Sequence, residues 1–351
     1  MDFNFLSDMV DIDDVGIVCL FSGQGAQKKG MGKSLYEGSK IAKSIYDLAG
    51  DEIKRLCFEG SDEELSITTN TQPAVYTTDL AAYYAFAENY NGSYEIRAMA
   101  GFSLGEFAAY TANGVFKNPA ETHRDGRNGI FVNGFTEGLR IVQKRAEFMD
   151  EAGRTPDGNS RGAMAAVFGD RENIISTIEM LKGSELRDTE VLEIANLNSK
   201  MQTVISGDFS AIEKFKILGK SKYRLKTIPL PVSTAFHSSL MNDAAERLSE
   251  YITGMKFNEP HYSQYMNLTG EHFHHNKISV HDYIVKQVKS PVLWQNTIEV
   301  IENEFLPNIY IEFGPGKTLT NLVKKITPRA VVYNIETMDD IDNFVKDCDY
   351  F

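Results

Sequence analysis

Ser103 is the residue whose surroundings most strongly suggest chemistry. It lies in Gly101-Phe102-Ser103-Leu104-Gly105, between an apolar run and an amphipathic stretch with helical spacing. In that context a Gly-x-Ser-x-Gly motif builds a nucleophile elbow, a sharp strand-to-helix turn that exposes the hydroxyl group. The free N–H groups at the helix start point towards it. The pattern predicts acyl transfer or hydrolysis through a covalent ester. The alternative is that Ser103 only caps the helix.

A serine nucleophile needs a base, and His237 is the best candidate among the seven histidines. It lies in residues 229–241, where an apolar strand breaks into a turn of small residues before a helix. A neutral imidazole there would accept the Ser103 proton and return it to a leaving thiolate. The alternative is that His237 only caps a helix or makes a structural hydrogen bond in the core. Four further histidines cluster in a polar segment that favours a solvated loop over a metal site, namely His272, His274, His275 and His281.

Composition and net charge limit the classes of partner and the cellular location to be expected. A net charge of −13 argues against nucleic acid as the main partner. No apolar run is long enough to span a membrane, and the acidic first residues lack the basic region of a signal peptide. The three cysteines are scattered without metal spacing. These features predict a cytoplasmic protein with reduced thiols.

The order of elements predicts an α/β fold. Apolar runs typical of buried strands cover 16–21, 96–101, 309–313 and 330–333. Helical patterns lie between them, including one that ends near Gly50 and one over 72–89. Such alternation favours a mostly parallel sheet with helices on both faces.

The middle of the chain has a different pattern. Strand and helix signals follow each other as β-α-β-β-α-β at 162–168, 172–182, 191–195, 202–206, 210–218 and 223–230. This order predicts a ferredoxin-like small domain over 161–228. It would be inserted into a large domain made of 1–160 and 229–351, and a cleft between the two would hold the site.

Eight separated segments resemble, in order, the malonyl-CoA:acyl carrier protein transacylase family and the malonyl-type acyltransferase domains of polyketide synthases. They are FSGQGAQ at 21–27, TQPA at 71–74, GFSLGE at 101–106, QKRAEFM at 143–149, NLNS at 196–199, AFHSSLM at 235–241, QVKSPVLW at 287–294 and EFGPGK at 312–317. The likeness runs from about 16 to 333. It implies that the large domain is α/β-hydrolase-like.

The resemblance implies specific roles at the site. Ser103 would be the nucleophile and His237 the base, with the imidazole oriented by a backbone carbonyl at Gln287. The backbone N–H groups of Gln24 and Leu104 would form the oxyanion hole, where each donor can contribute about 3 kcal/mol.

Substrate recognition is implied in the same way. Arg145 would bind the free carboxylate of a malonyl group, as a planar guanidinium can with two parallel hydrogen bonds. Without the resemblance, the favoured interpretation of Arg145 is an exposed residue on a basic helix face. Phe236 and Asn198 would also contact the substrate. The bulk of Phe236 would crowd a substituent on the malonyl α-carbon, and Leu104 matches the malonyl-type pattern as well.

The expected function is therefore ping-pong transfer of malonyl from malonyl-CoA, through a Ser103 ester, to an acyl carrier protein. The resemblance implies a monomer without a cofactor, because CoA is a substrate and phosphopantetheine belongs to the partner. The carrier of such enzymes is usually acidic, so a basic docking patch is expected. Candidates flanking the site segments are Lys28, Lys29, Lys33, Lys317, Lys324, Lys325 and Arg329.

Two departures and two alternatives remain open. Phe102 stands where the family commonly has histidine, and the polar stretch over 117–132 looks longer than in the family. One alternative is an editing hydrolase of acyl thioesters in a trans-acting polyketide system, which would use the same Ser103 and His237. The other is a non-catalytic docking protein that kept the fold.

Overall fold

The computed structural model describes residues 15–92, 94–116, 124–125, 130–131, 134–232, 234–305 and 308–349. Its strands are β1 Gly16–Phe21, β2 Glu95–Gly101, β3 Arg124–Asp125, β4 Ile130–Phe131, β5 Gly162–Phe168, β6 Leu192–Ser199, β7 Gln202–Asp208, β8 Lys226–Pro229, β9 Ser263–Tyr265, β10 Asn308–Phe313 and β11 Val331–Ile335. Its helices are α1 Lys33–Gly38, α2 Lys40–Ala49, α3 Asp51–Glu59, α4 Asp62–Ser66, α5 Thr68–Asn89, α6 Gly105–Ala112, α7 Phe135–Ala152, α8 Arg171–Ser184, α9 Phe209–Tyr223, α10 Asn242–Ile252, α11 Val280–Gln287, α12 Trp294–Glu304, α13 Thr318–Ile326 and α14 Met338–Asp349. Short 3₁₀ helices cover Ser239–Met241 and Phe273–His275.

The larger sheet has five parallel strands in the order β11-β10-β1-β2-β9. Helices cover both of its faces, so the central strand β1 is buried at every position. This burial explains why its sequence is a continuous apolar run rather than an alternating one. The predicted α/β class with a mostly parallel sheet is confirmed.

The smaller sheet is antiparallel, with strand order β6-β7-β5-β8. Together with α8 and α9 it forms the predicted β-α-β-β-α-β unit, and the two helices pack on one face through a core that includes Val167, Ile178 and Phe215. Met164 and Val204 lie on the opposite face and line a cleft. The sheet extends from Gly162 to Pro229, whereas the exact domain limits stay a prediction.

Several predicted boundaries differ from the structure. The helix expected to end near Gly50 is two helices, because Ser39 between α1 and α2 is extended and caps α2 through its side chain. The strand expected over 223–230 starts at Lys226, because α9 continues to Tyr223 and ends with Arg224 in the left-handed conformation. Strand β9, with only three residues, was not predicted.

Two further observations concern the predicted polar stretch and the helices. Only Arg124–Asp125 and Ile130–Phe131 of residues 117–132 are described, and they pair as antiparallel strands. The rest of that stretch lies outside the described residues. Among the helices of the described ranges, none is both long and apolar enough to cross a bilayer.

Candidate active site

The Gly-x-Ser-x-Gly segment forms a tight elbow between β2 and α6. Ser103 has a φ of 52°, a left-handed conformation that costs a non-glycine residue roughly 1–2 kcal/mol. A Cβ on Gly101 would lie 2.0 Å from the Gly105 carbonyl carbon, so the turn closes only with glycine there. The start of α6 has no side-chain capping hydrogen bond, so the alternative that Ser103 serves as a helix cap is wrong.

Ser103 and His237, far apart in sequence, are in direct contact. Ser103 Oγ lies 2.6 Å from His237 Nε2. His237 Nδ1 lies 3.0 Å from the Gln287 carbonyl oxygen and 3.1 Å from that of Ser290. Carbonyl oxygens only accept hydrogen bonds, so Nδ1 carries the proton and Nε2 presents its lone pair to the hydroxyl.

The imidazole of His237 is kept neutral by its surroundings. Its side chain is buried, and burial is the main cause that lowers its pKa to about 4. The positive charge of Arg145 lowers the pKa further. At neutral pH the ring is therefore unprotonated, the state a general base requires.

Arg145 is a buried cation beside the serine. Its side chain is 1% exposed, so the interpretation of an exposed helix face is wrong. The guanidinium donates to Gln72 Oε1 at 2.8 Å, to Gln287 Oε1 at 3.2 Å and to Ser103 Oγ at 3.3 Å. Burial lowers its pKa to about 9, which leaves it charged at neutral pH.

The partners of Arg145 are uncharged. In the described part of the chain its hydrogen bonds go to amide and hydroxyl oxygens, no carboxylate touches it, and its Nε has no hydrogen-bond partner. Against the larger effect of burial, the nearby buried carboxyl of Glu106 raises the pKa of Arg145. A buried charge with no carboxylate in direct contact is costly, unless a ligand supplies the opposite charge. The arrangement can therefore take an anionic group within reach of Ser103 Oγ.

The glycine-rich loop after β1 contacts the elbow. A Cβ on Gly23 would lie 2.5 Å from the Phe102 carbonyl oxygen, so glycine allows this close approach. Across the described ranges, the backbone N–H groups of Gln24 and Leu104 donate to no other protein group. They are free for a ligand oxygen, and their role as an oxyanion hole stays a prediction.

These groups line a cleft of about 280 Å³. Phe236 and Asn198, both predicted to contact substrate, lie in its wall and are about 5% exposed. Asn198 Oδ1 is buried without a hydrogen-bond partner among the described residues. Phe102 packs edge-on against Trp294, with ring centroids 5.3 Å apart, and turns part of its surface to the cleft.

Three site residues were not found from the sequence. Gln72 binds Arg145, although its segment contributed only to the family resemblance. Glu106 belongs to the quoted GFSLGE motif, but its contacts were not foreseen. Asn267 follows β9 and binds the Ser103 backbone at 2.7 Å across 164 residues of sequence. A polar residue at the end of a parallel strand is the signal that points to such a site.

The histidine cluster lies away from this site. His274 and His275 are exposed, and the rings of His272 and His274 are 5.3 Å apart. Among the described residues no group of three or more His, Cys, Asp or Glu side chains could hold a metal ion.

Comparisons with known proteins agree with this geometry. The family model of the acyl transferase domain matches residues 18–121. The malonyl CoA-acyl carrier protein transacylase of Bacillus subtilis (strain 168) is 34% identical over 331 residues, which is 93% of this chain and 95% of that relative.

Solved structures are also similar. The malonyl CoA-acyl carrier protein transacylase from Clostridium perfringens is 30% identical with a TM-score of 0.80, covering 95% of this chain and 98% of that one. A malonyl-transacylase solved in complex with its type II polyketide synthase acyl carrier protein is 27% identical with a TM-score of 0.80, covering 95% and 99%.

The fold and the elbow define an acyl transferase. More narrowly, the chain belongs to the malonyl-CoA:acyl carrier protein transacylase family.

Proposed function

We propose that this protein transfers a malonyl group from malonyl-CoA to the phosphopantetheine thiol of an acyl carrier protein, through an ester on Ser103. The observation that carries the proposal is the position of Arg145. Its buried charge, which no carboxylate touches among the described residues, lies 3.3 Å from the Ser103 hydroxyl oxygen. A malonyl group has its free carboxylate two carbons from the thioester carbonyl, so both ends fit one site.

The first half-reaction uses the Ser103–His237 contact. His237 Nε2 takes the hydroxyl proton while Ser103 Oγ attacks the thioester carbonyl carbon and the carbonyl electron pair moves to oxygen. The N–H groups of Gln24 and Leu104 donate to that oxyanion. The C–S bond then breaks, and the CoA thiolate takes the proton from the His237 imidazolium.

The second half-reaction reverses these steps. The carrier's thiol gives its proton to His237, and its sulfur attacks the malonyl ester. The new C–S bond forms, the C–O bond to Ser103 breaks, and Oγ recovers the proton from His237. In this proposal the reaction uses no cofactor of the protein's own, and the protein acts as a monomer.

The acyl choice follows from charge and size. An acetyl group would leave the buried guanidinium unpaired, so the site would disfavour it. A hydrolase of neutral acyl thioesters would gain nothing from Arg145, and no observation favours that alternative. Phe236 in the cleft wall would crowd a methyl group on the malonyl α-carbon.

The carrier is proposed to dock over the cleft mouth beside α13. Leu319 and Leu322 of this helix line the cleft, and the exposed side chains of Lys317 and Lys324 flank them. Lys325 reaches across the mouth and donates to Gln202 Oε1 at 3.0 Å. Lys28, another candidate, pairs with Glu336 at 2.6 Å.

The proposal is tested by intact-protein mass spectrometry after brief mixing with equal malonyl-CoA and acetyl-CoA, before and after a phosphopantetheinylated carrier is added. A malonyl adduct that moves to the carrier is expected, and Ser103→Ala should form no adduct. Arg145→Ala should lower the malonyl-to-acetyl ratio roughly 10- to 100-fold, as expected for loss of a charge-assisted contact of about 1.5–3 kcal/mol.

Arg140→Ala is the matched control, since Arg140 lies on the same helix with an exposed side chain. It should keep the wild-type ratio. An unchanged ratio in Arg145→Ala would remove the carboxylate-binding role, and an adduct that is lost to water instead of reaching the carrier would favour the hydrolase.

A further inference from the structure

We propose that Asn267 and Glu106 are positioning residues that hold the nucleophile elbow in its strained conformation. They touch neither Ser103 Oγ nor the cleft, and the family resemblance assigned them no role. The inference deepens the proposed function, because it names what keeps Ser103 aligned for acyl transfer.

Asn267 bridges the two sides of the elbow with its side-chain amide. Its Oδ1 accepts a hydrogen bond from the Ser103 backbone N–H at 2.7 Å. Its Nδ2 donates to the Gly101 carbonyl oxygen at 2.7 Å. An N–H only donates and a carbonyl only accepts, so these partners fix the orientation of the amide. The end of β2 and the nucleophile are thus tied to one rigid group.

Glu106 fixes Asn267 in turn. Its Oε2 accepts from the Asn267 backbone N–H at 2.9 Å, and its Oε1 accepts from the Tyr110 hydroxyl at 2.7 Å. Glu106 lies in the first turn of α6, the helix that begins directly after the elbow. Glu106, which follows the nucleophile in the chain, therefore holds Asn267, and Asn267 in turn holds the Ser103 backbone.

The remaining groups of Asn267 and Ser103 are also occupied. The Asn267 carbonyl oxygen accepts from Leu293 N–H at 2.9 Å. The Ser103 carbonyl oxygen accepts from Gln287 Nε2 at 2.7 Å. Ser103 is thus held at both its N–H and its carbonyl, and Asn267 is the only side chain bound to the N–H among the described residues.

The chemical consequence concerns rate rather than substrate affinity. Left-handed φ at a serine persists only when its surroundings enforce it. Without the Asn267 contact, Ser103 would relax and lose its alignment with His237 and with the Leu104 N–H. A misplacement of about 1 Å can cost on the order of 100-fold in rate. Asn267 does not line the cleft, so substrate binding should stay intact when it is replaced. Glu106 does not line the cleft either, but its carboxyl group also acts on the pKa of Arg145.

The test compares Asn267→Ala and Glu106→Leu, which removes the acceptor for the Asn267 N–H at similar size, with wild type and with the control Asn296→Ala. Asn296 Nδ2 donates to the Gly270 carbonyl at 3.0 Å in the same region but does not contact the elbow. Rapid-quench acylation with malonyl-CoA gives the maximal rate and the half-saturating concentration, and thermal unfolding reports folding. Asn267→Ala and Glu106→Leu should lower the maximal rate roughly 10- to 100-fold. In Asn267→Ala the half-saturating concentration should change less than about twofold, because contacts to the bound substrate are untouched.

A fluorophosphonate that labels activated serines is measured in parallel, which separates this inference from the proposed function. Slow labelling in both variants supports the clamp even if malonyl-CoA proves to be the wrong substrate. Wild-type acylation and labelling in folded Asn267→Ala would overturn it, and so would an equal loss in Asn296→Ala.

If Asn267→Ala does not fold, Asn267→Asp decides the question. Its carboxyl group can donate to the Gly101 carbonyl only when protonated. Acylation by this variant should therefore recover relative to wild type as the pH is lowered, and the absence of recovery would contradict the clamp.

Discussion

At the scale of single residues, the charge of Arg145 couples acyl-group recognition to the strength of the base. The same guanidinium that would receive the malonyl carboxylate lowers the pKa of His237 in the free protein. When a carboxylate neutralises that charge, this effect is cancelled, and the imidazole becomes more basic. A substrate that carries the carboxylate would thus improve the base it is about to use, whereas an acetyl group would not.

This coupling predicts two different acid limbs in the pH dependence of acylation by malonyl-CoA. The free protein determines kcat/KM, so its limb should lie near pH 4, where His237 becomes protonated. The limb of kcat reports the substrate complex and should lie at higher pH. Rapid-quench acylation between pH 3.5 and about 8 measures both.

Acetyl-CoA is the control for this prediction, because its two limbs should coincide. A kcat/KM limb near the ordinary histidine pKa of 6.5 would contradict the neutral, desolvated base. The free energy of unfolding should also depend on this group. Because folding lowers the pKa of His237, its contribution to stability is present above pH 6.5 and is lost as the pH falls towards 4.

At the scale of elements, local sequence was enough to predict those parts of the site that lie within one turn. The apolar run of β2, the glycines of the elbow and the start of α6 are neighbours in sequence, so their pattern shows directly how Ser103 is presented. Backbone sterics explain this, since a Cβ at Gly101 or Gly105 would overlap main-chain atoms.

The rest of the site depends on contacts between distant elements. Ser103 meets His237 across 134 residues, Asn267 across 164 and Gln287 across 184. His237 was selected from the turn chemistry around it and again by the family resemblance, Gln287 was reached only through the resemblance, and Asn267 was missed. No short-range pattern encodes which strand end faces which, because strand order is decided by packing of the whole sheet.

The packing of α6 against β1 gives a prediction at this scale. A Cβ on Gly105 would lie 2.1 Å from the Phe21 carbonyl oxygen and 2.5 Å from that of Ser22. Gly105→Ala must therefore push the elbow away from the loop that holds Gln24. It should lower the free energy of unfolding by about 1–3 kcal/mol and slow acylation, as measured by thermal unfolding and rapid quench.

Gly183→Ala is the control for Gly105→Ala. Gly183 lies in α8 with nothing within 4 Å of an added Cβ, so alanine should leave stability unchanged or raise it slightly. Wild-type stability and acylation in Gly105→Ala would mean that the close approach of α6 and β1 is not required.

At the scale of the whole molecule, a net charge of −13 poses a problem for an acidic partner. Long-range repulsion slows encounter unless a local patch of positive charge guides it. Exposed Lys317, directly before α13, and Lys324 within it lie beside the cleft-lining residues of that helix. Helices α8 and α9 instead cover the face of the small sheet that points away from the cleft. Reversing the charge of two lysines beside the cleft should therefore slow transfer to the carrier more than reversing two lysines on α8 and α9.

The charge reversal Lys317→Glu with Lys324→Glu should slow malonyl transfer to the carrier about tenfold or more, because encounter loses its electrostatic guidance. Acylation by malonyl-CoA at saturating concentration should keep its wild-type rate, since neither lysine reaches Ser103. Lys325 is left unchanged because it binds Gln202 across the mouth.

The matched control reverses the charges of Lys182 on α8 and Lys220 on α9, both exposed, and should transfer malonyl to the carrier normally. Single-turnover transfer at low and high salt measures the difference, and salt should slow the wild type more than the α13 variant. Equal slowing in both double variants would show that overall charge, rather than a docking patch on α13, governs the encounter.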